Sequence, residues 1–309
     1  MRNTWSKGRQ AGARAFGALL AALLWVPGVR RALAADAPEA TLPPKERFHL
    51  FLLAGQSNMA GRGEVEASDR LPIDGVLTLD AQGRWVPALD PLHWDKPGAG
   101  VGLGRTFAAE YLRAHPGVTV GLIPAACGGS PISAWQPGQY FDQTNSHPYD
   151  DALARSRLAL KSGTLRGILW HQGESDRSPE LSERYEAALT ELIARFRREL
   201  SAPSVPFVLG QLGEFAGAPW DAGARRVDQA QRNVVARVPW TTFVAAEGLT
   251  SKPDNLHFDA RSLRELGKRY ATAFAELEKR SRATRPAGGK GTKPAAAGGS
   301  SPGTTPAAR

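Results

Sequence analysis

The sequence predicts an α/β protein, a three-layer α/β/α sandwich around a mostly parallel, five-stranded sheet. Three observations lead there. Short apolar runs alternate with longer stretches of helical periodicity. The runs are continuously apolar, which is the pattern of strands covered on both faces. Polar, glycine-bearing loops follow three of them, and open α/β sheets bind ligands beyond the carboxyl ends of their strands.

In chain order, the first strand is Phe48-His49-Leu50-Phe51-Leu52-Leu53, ending at Gly55. The second covers 118–123 and runs into the loop Ala125-Ala126-Cys127-Gly128-Gly129-Ser130. The third, 165–170, ends at His171-Gln172-Gly173-Glu174, and the fourth and fifth cover 206–212 and 242–246. Helices are expected near 105–114, 150–161, 180–200, 222–237 and 260–280. Within 180–200, Leu181, Tyr185, Leu189, Leu192, Ile193 and Phe196 recur at spacings of three or four, an amphipathic stripe. The glycine-rich stretch 98–104 reads as a flexible entrance to the helix at 105–114.

The formal net charge of +9 resembles a nucleic-acid signal until it is located. Residues 1–34 carry six basic residues and no acid, residues 281–309 carry five and no acid, and residues 35–280 are left at −2. Binding of nucleic acid by the folded part loses its support. The N-terminus reads as a signal peptide over 1–34: basic residues, an apolar stretch at 15–29, then Ala32-Leu33-Ala34 as a small-residue cleavage site. The apolar stretch is short for a membrane span, which needs ~20 residues. The expectation is therefore export, periplasmic or secreted, without stable membrane insertion after cleavage. Residues 35–46 form a polar lead-in, 47–280 the folded domain, and 281–309 a low-complexity tail of disordered composition. Cys127 is the single cysteine, so no intramolecular disulfide can form.

Four blocks carry chemistry. In Gly55-Gln56-Ser57-Asn58-Met59, a serine directly follows a buried strand, where its hydroxyl and its own N–H can face a ligand; the bland alternative is a helix cap. Gln56 and Asn58 flank it as candidates for substrate contact. Cys127-Gly128-Gly129-Ser130 places two glycines after a strand, where backbone N–H groups can approach a ligand closely, or simply make a tight turn. His171-Gln172-Gly173-Glu174-Ser175-Asp176 crowds an amide, a carboxylate and a histidine behind a third strand; the bland alternative is a solvated polar turn. Asp254-Asn255-Leu256-His257 precedes the last helix; histidine is the usual base for a serine, and a carboxylate three residues earlier can orient it. Trp94, Trp135 and Trp220 lie in loops where sugars can stack or where the rings simply pack on the core; Trp135, which follows the second block, is the candidate for substrate contact.

Together the blocks resemble the SGNH-hydrolase superfamily, with its flavodoxin-like sheet. More closely they resemble its sialate O-acetylesterase and acetylxylan esterase branch, carbohydrate esterase family 6. They stand in that family's order and span residues 55–259. The resemblance implies a serine esterase that removes acetyl groups from carbohydrate through an acyl-enzyme. Ser57 is the implied nucleophile, His257 the base, and Asp254 its acidic partner, with Glu174 as rival or helper. The Ser57 N–H, an N–H of Gly128 or Gly129, and the Gln172 amide are the implied oxyanion donors. Gln172 stands where typical superfamily members have asparagine. Acetylated carbohydrate is the expected partner, and no cofactor or metal is implied, since the histidines form no H-x-x-x-H or H-E-x-x-H spacing. Two other readings remain open: a serine esterase of non-carbohydrate acyl esters, and a non-catalytic glycan-binding protein on the same scaffold.

Overall fold

The computed structural model describes residues 41–283. The expected signal peptide, half of the lead-in and nearly all of the tail lie outside the described residues. Strands β1 (Phe48–Gly55), β2 (Val76–Leu79), β3 (Trp85–Pro87), β4 (Thr119–Pro124), β5 (Thr164–His171), β6 (Phe207–Gly210) and β7 (Thr241–Val244) form one sheet, ordered β3-β2-β4-β1-β5-β6-β7. All neighbours are parallel except β2 and β3. The five expected strands take the flavodoxin-like order, second-first-third-fourth-fifth.

The sheet has seven strands, not five. The two extra strands form an edge of four and three residues, too short for a periodicity to register. Their turn is held by Asp80, which accepts from the N–H groups of Gln82 and Arg84, and Pro87 suits an edge because it has no N–H to donate.

Helices α1 (Ser57–Ala60), α2 (Gly104–Ala114), α3 (Pro148–Ala159), α4 (Pro179–Glu199), α5 (Ala222–Arg237) and α6 (Ala260–Ala283) cover both faces. Successive residues of β1 feed opposite layers. Phe48, Leu50 and Leu52 pack into a core shared with Tyr185, Leu189 and Phe196 of α4. Phe51 and Leu53 pack with Phe107 and Tyr111 of α2 and Phe274 of α6. The start of α4 follows from sequence: Ser178 accepts from the Leu181 N–H and Pro179 opens the helix. Asp221 caps α5 through the Ala224 N–H at 2.7 Å.

Backbone contact, not flexibility, accounts for two glycine positions near the β1 end. Gly55 has φ +128°, and a Cβ there would meet the His171 carbonyl oxygen at 2.2 Å, so only glycine lets β1 and β5 close together. Gly100 approaches Gly63 so closely that a Cβ would lie 2.1 Å from its carbonyl oxygen. Residues 63 and 101 pair as an isolated bridge, so the 98–104 stretch is pinned to the loop after α1 rather than free.

Candidate active site

The chain order reverses between β1 and β5, and the crevice beyond the ends of those strands is where a doubly wound sheet places its ligand. Ser57 opens α1 directly after β1, with Gln56 as the N-cap residue. The Ser57 Oγ lies 2.9 Å from His257 Nε2, and His257 Nδ1 lies 2.8 Å from Asp254 Oδ2. Two hundred residues of chain separate the serine from the histidine. A carboxylate can only accept, so Nδ1 carries the proton and Nε2 faces the serine as acceptor.

Asp254 also accepts from the N–H groups of Leu256 and His257, at 3.0 and 2.9 Å. Partial burial pushes its carboxyl up, but the bonds from the His257 backbone and ring and from the Leu256 N–H outweigh this and hold it at about 2. It is therefore ionised in any neutral medium. Ser57 itself is 6% exposed.

Asn58 explains how the histidine loop stays in place. Its Oδ1 accepts from Phe258 N at 3.1 Å, and its Nδ2 donates to Leu256 O at 3.2 Å and to Glu174 Oε1 at 2.6 Å. One side chain thus brackets His257 from both neighbours. Asn58 is fully buried, so it cannot touch substrate as expected. Glu174 is joined to that clamp and makes no bond to His257; Asp254 is the group on the imidazole. Burial pushes the Glu174 carboxyl up, against the Asn58 bond that lowers it, and its Oε2 is buried without a partner.

Three further expectations are corrected. Gln172 is fully buried and its amide is committed inside the protein: Nε2 lies 3.1 Å from Gln56 Oε1, 3.0 Å from Ser130 O and 2.5 Å from Asp176 Oδ2, and Oε1 accepts from Tyr185. It forms the floor of the site, not an oxyanion donor. Gln56 is 3% exposed, and its Oε1 also accepts from the N–H groups of Gly173 and Ser175, so it joins two loops instead of meeting substrate. Trp135 is fully buried, its Nε1 on Ser130 Oγ and its ring 5.0 Å from that of Trp170; stacking on a sugar is closed to it.

Of the two glycines, Gly128 donates to Asp95 Oδ2 at 2.8 Å. Gly129 has φ +86° and its N–H has no protein acceptor among the described residues, while its carbonyl accepts from Ser175 Oγ at 2.9 Å. Gly129 is therefore the glycine with a free donor.

Sequence reasoning missed Asp176 and Asp95. Asp176 is fully buried, accepts from the Ile132 N–H at 3.0 Å, and ties the third block to the second. Burial raises its carboxyl to about 6, against the lowering bonds from Gln172 and Ile132. Its place four residues after Gln172 was a signal of sorts. Asp95, paired with Arg62 at 2.7 Å and almost wholly buried, sits in a coil segment with no pattern around it, and nothing local marked it.

Comparison with known proteins places this geometry. A family model described as carbohydrate esterase, sialic acid-specific acetylesterase, matches residues 47–276. A probable carbohydrate esterase of Arabidopsis thaliana is 31% identical over 77% of this chain and 94% of its own. The solved structure of that Arabidopsis protein superposes with a TM-score of 0.66, at 30% identity, over 76% of this chain and 99% of that one. A carbohydrate acetylesterase from Xanthomonas citri shares the fold, with a TM-score of 0.58 at 23% identity, over 74% of this chain and 56% of that one. By class, then, this is a carbohydrate O-acetylesterase on an SGNH-type fold. The chain belongs to the sialic acid-specific acetylesterase family of carbohydrate esterases.

Proposed function

We propose that this chain is a serine esterase that hydrolyses O-acetyl esters on glycans through an acetyl-enzyme, after export directed by its N-terminal segment. The observation that carries the mechanism is the unbroken line from Ser57 Oγ through His257 to Asp254, at 2.9 and 2.8 Å. In the first half-reaction His257 Nε2 takes the Ser57 proton as Oγ attacks the acetyl carbonyl. The imidazolium is held by ionised Asp254 and returns its proton to the departing sugar oxygen. In the second, water loses a proton to Nε2 while attacking the acetyl-serine, and the imidazolium returns that proton to Ser57 Oγ as the ester bond breaks and acetate leaves.

The carbonyl oxygen turns anionic in both steps. The N–H groups of Ser57 and Gly129 are its donors in this reading, because first-turn N–H groups have no intrahelical acceptor and Gly128 and Gln172 are engaged elsewhere. The N-terminal pattern of basic residues, apolar stretch and Ala32-Leu33-Ala34 supports export.

The decisive experiment measures acetate release from a panel of acetylated polysaccharides, with Ser57→Ala as control. The expected result is turnover of at least one glycan by the parent and none measurable by the variant. A parent that releases no acetate but cleaves longer-chain 4-nitrophenyl esters better than the acetate would replace the glycan by a lipid-like ester.

A further inference from the structure

The two oxyanion donors stand on different elements, Ser57 at the start of α1 and Gly129 in the loop after β4. The second is the harder to aim. The peptide that carries the Gly129 N–H lies between two glycines, whose backbone turns more freely than that of any other residue. Its direction has to come from bonds on either side of it.

On one side, the Gly129 carbonyl accepts from Ser175 Oγ at 2.9 Å. On the other, the Gly128 N–H donates to Asp95 Oδ2 at 2.8 Å. That same oxygen accepts from Arg62 Nη2 at 2.7 Å, and Arg62 Nη1 donates to the Gly61 carbonyl at 2.8 Å and reaches Asp95 Oδ1 at 3.4 Å. Gly61 closes α1, with its N–H on the Ser57 carbonyl at 2.9 Å. An unbroken line of bonds therefore runs from Ser57 through Gly61, Arg62 and Asp95 to Gly128.

Asp95 is held to the end of α1 a second time, through the chain that follows it. The Gly100 N–H donates to the same Gly61 carbonyl at 3.0 Å, and Gly63 bridges Val101. The Arg62 and Asp95 side chains are 8% and 3% exposed. The Gly128 backbone lies directly against them: a Cβ there would collide with Arg62 Nη2 and stand 2.6 Å from Asp95 Oδ2. Two charges taken out of water contribute little net stability through their attraction. What such a pair does supply is direction, since a forked guanidinium and a carboxylate meet in one preferred plane.

We propose that Arg62 and Asp95 are a positioning pair for the reaction: they tie the end of α1 to the Gly128 N–H and thereby aim the Gly129 N–H at the oxyanion formed on Ser57. The inference rests on the reading of Ser57 as the nucleophile and of the Ser57 and Gly129 N–H groups as oxyanion donors. Neither side chain needs to touch substrate. A hydrogen bond weakens steeply as its angle closes, so releasing this peptide costs part of one donor's contribution, which is ~10²–10³ in turnover when the donor is removed outright.

The test compares 4-nitrophenyl acetate with its thionoacetate analogue, in which sulfur, a weak hydrogen-bond acceptor, replaces the carbonyl oxygen. Aimed N–H donors favour the oxygen ester, so the ratio of kcat/KM, oxygen over sulfur, reads their alignment. Both esters are measured on one preparation, so loss of folded enzyme cancels and even a sparsely folded variant gives a reading. Asp95→Ala is expected to lower the ratio about tenfold from the parent's. Arg62→Lys, which keeps the charge but loses the fork that serves Asp95 and Gly61 together, is expected to lower it by less. A pair that merely stabilised the loop would lower Tm and leave the ratio alone. The full parental ratio in either variant overturns the proposal. Two other results mark failure of the underlying reading instead: a parent ratio equal to that of uncatalysed hydrolysis rejects the oxyanion donors, and turnover of 4-nitrophenyl acetate by Ser57→Ala rejects the nucleophile.

Discussion

The floor of the site and its rim are built on opposite rules. In the floor, Gln56, Gln172 and Asp176 are almost wholly buried, and Gln172 is bonded at both ends of its amide, to Ser130, Asp176 and Tyr185. On the rim, Trp94 is exposed, and Lys96 and Arg155 pair with no carboxylate among the described residues. Saturated bonding fixes a geometry, because every alternative position leaves a buried group unpaired. Saturation of bonding thus distinguishes the two layers.

The largest expected effect falls where the two layers meet. Ser57→Ala should lower turnover by ~10⁶ with the fold intact, measured as acetate released at saturating substrate. Asp254→Asn should cost ~10⁴, since the imidazole then loses both its tautomer and its counter-charge. Glu174→Gln should cost far less, because Glu174 meets the Asn58 clamp and not the imidazole. If the two carboxylates prove equal in turnover, the separation between clamp and catalytic line fails.

Floor substitutions should act on stability first. Gln172→Ala leaves Asp176, Ser130 O and Tyr185 short of partners and should cost about 3 kcal/mol, seen as a fall of several degrees in Tm. A Tm unchanged within a degree, with activity lost, would return Gln172 to the oxyanion role.

The floor also makes a pH prediction. Asp176 is held at about 6 in the folded protein, above the value near 3.9 of an unfolded aspartate. Between those values the unfolded chain sheds the proton first, so this group's contribution to stability falls as pH rises from about 4 to about 6. Asp176→Asn should flatten that part of the Tm–pH curve; a parallel curve for the variant would reject it. The smallest effect belongs to the exposed surface, where Tyr140→Ala should shift stability by no more than about 0.5 kcal/mol, checked by denaturant unfolding.

Local pattern determined a good deal of this protein. The five central strands, the five long helices and the order of the four blocks follow from continuous apolar runs, an apolar period of 3.6 and local motifs, all readable within a few positions. The juxtaposition of Ser57, Asp254 and His257 was expected on residue type and on the family's motifs, and the distances agree with it. Tertiary structure alone decided which polar side chains would be buried. Gln172 and Trp135 look like reaching groups in a loop, yet they end in the interior because residues 56, 130, 170 and 185 converge on them. Trp94 in a similar loop stays open. The two edge strands and Asp95 were invisible for the same reason. A short segment takes its conformation from partners far along the chain, and burial is a property of what surrounds a side chain, which no window of sequence contains.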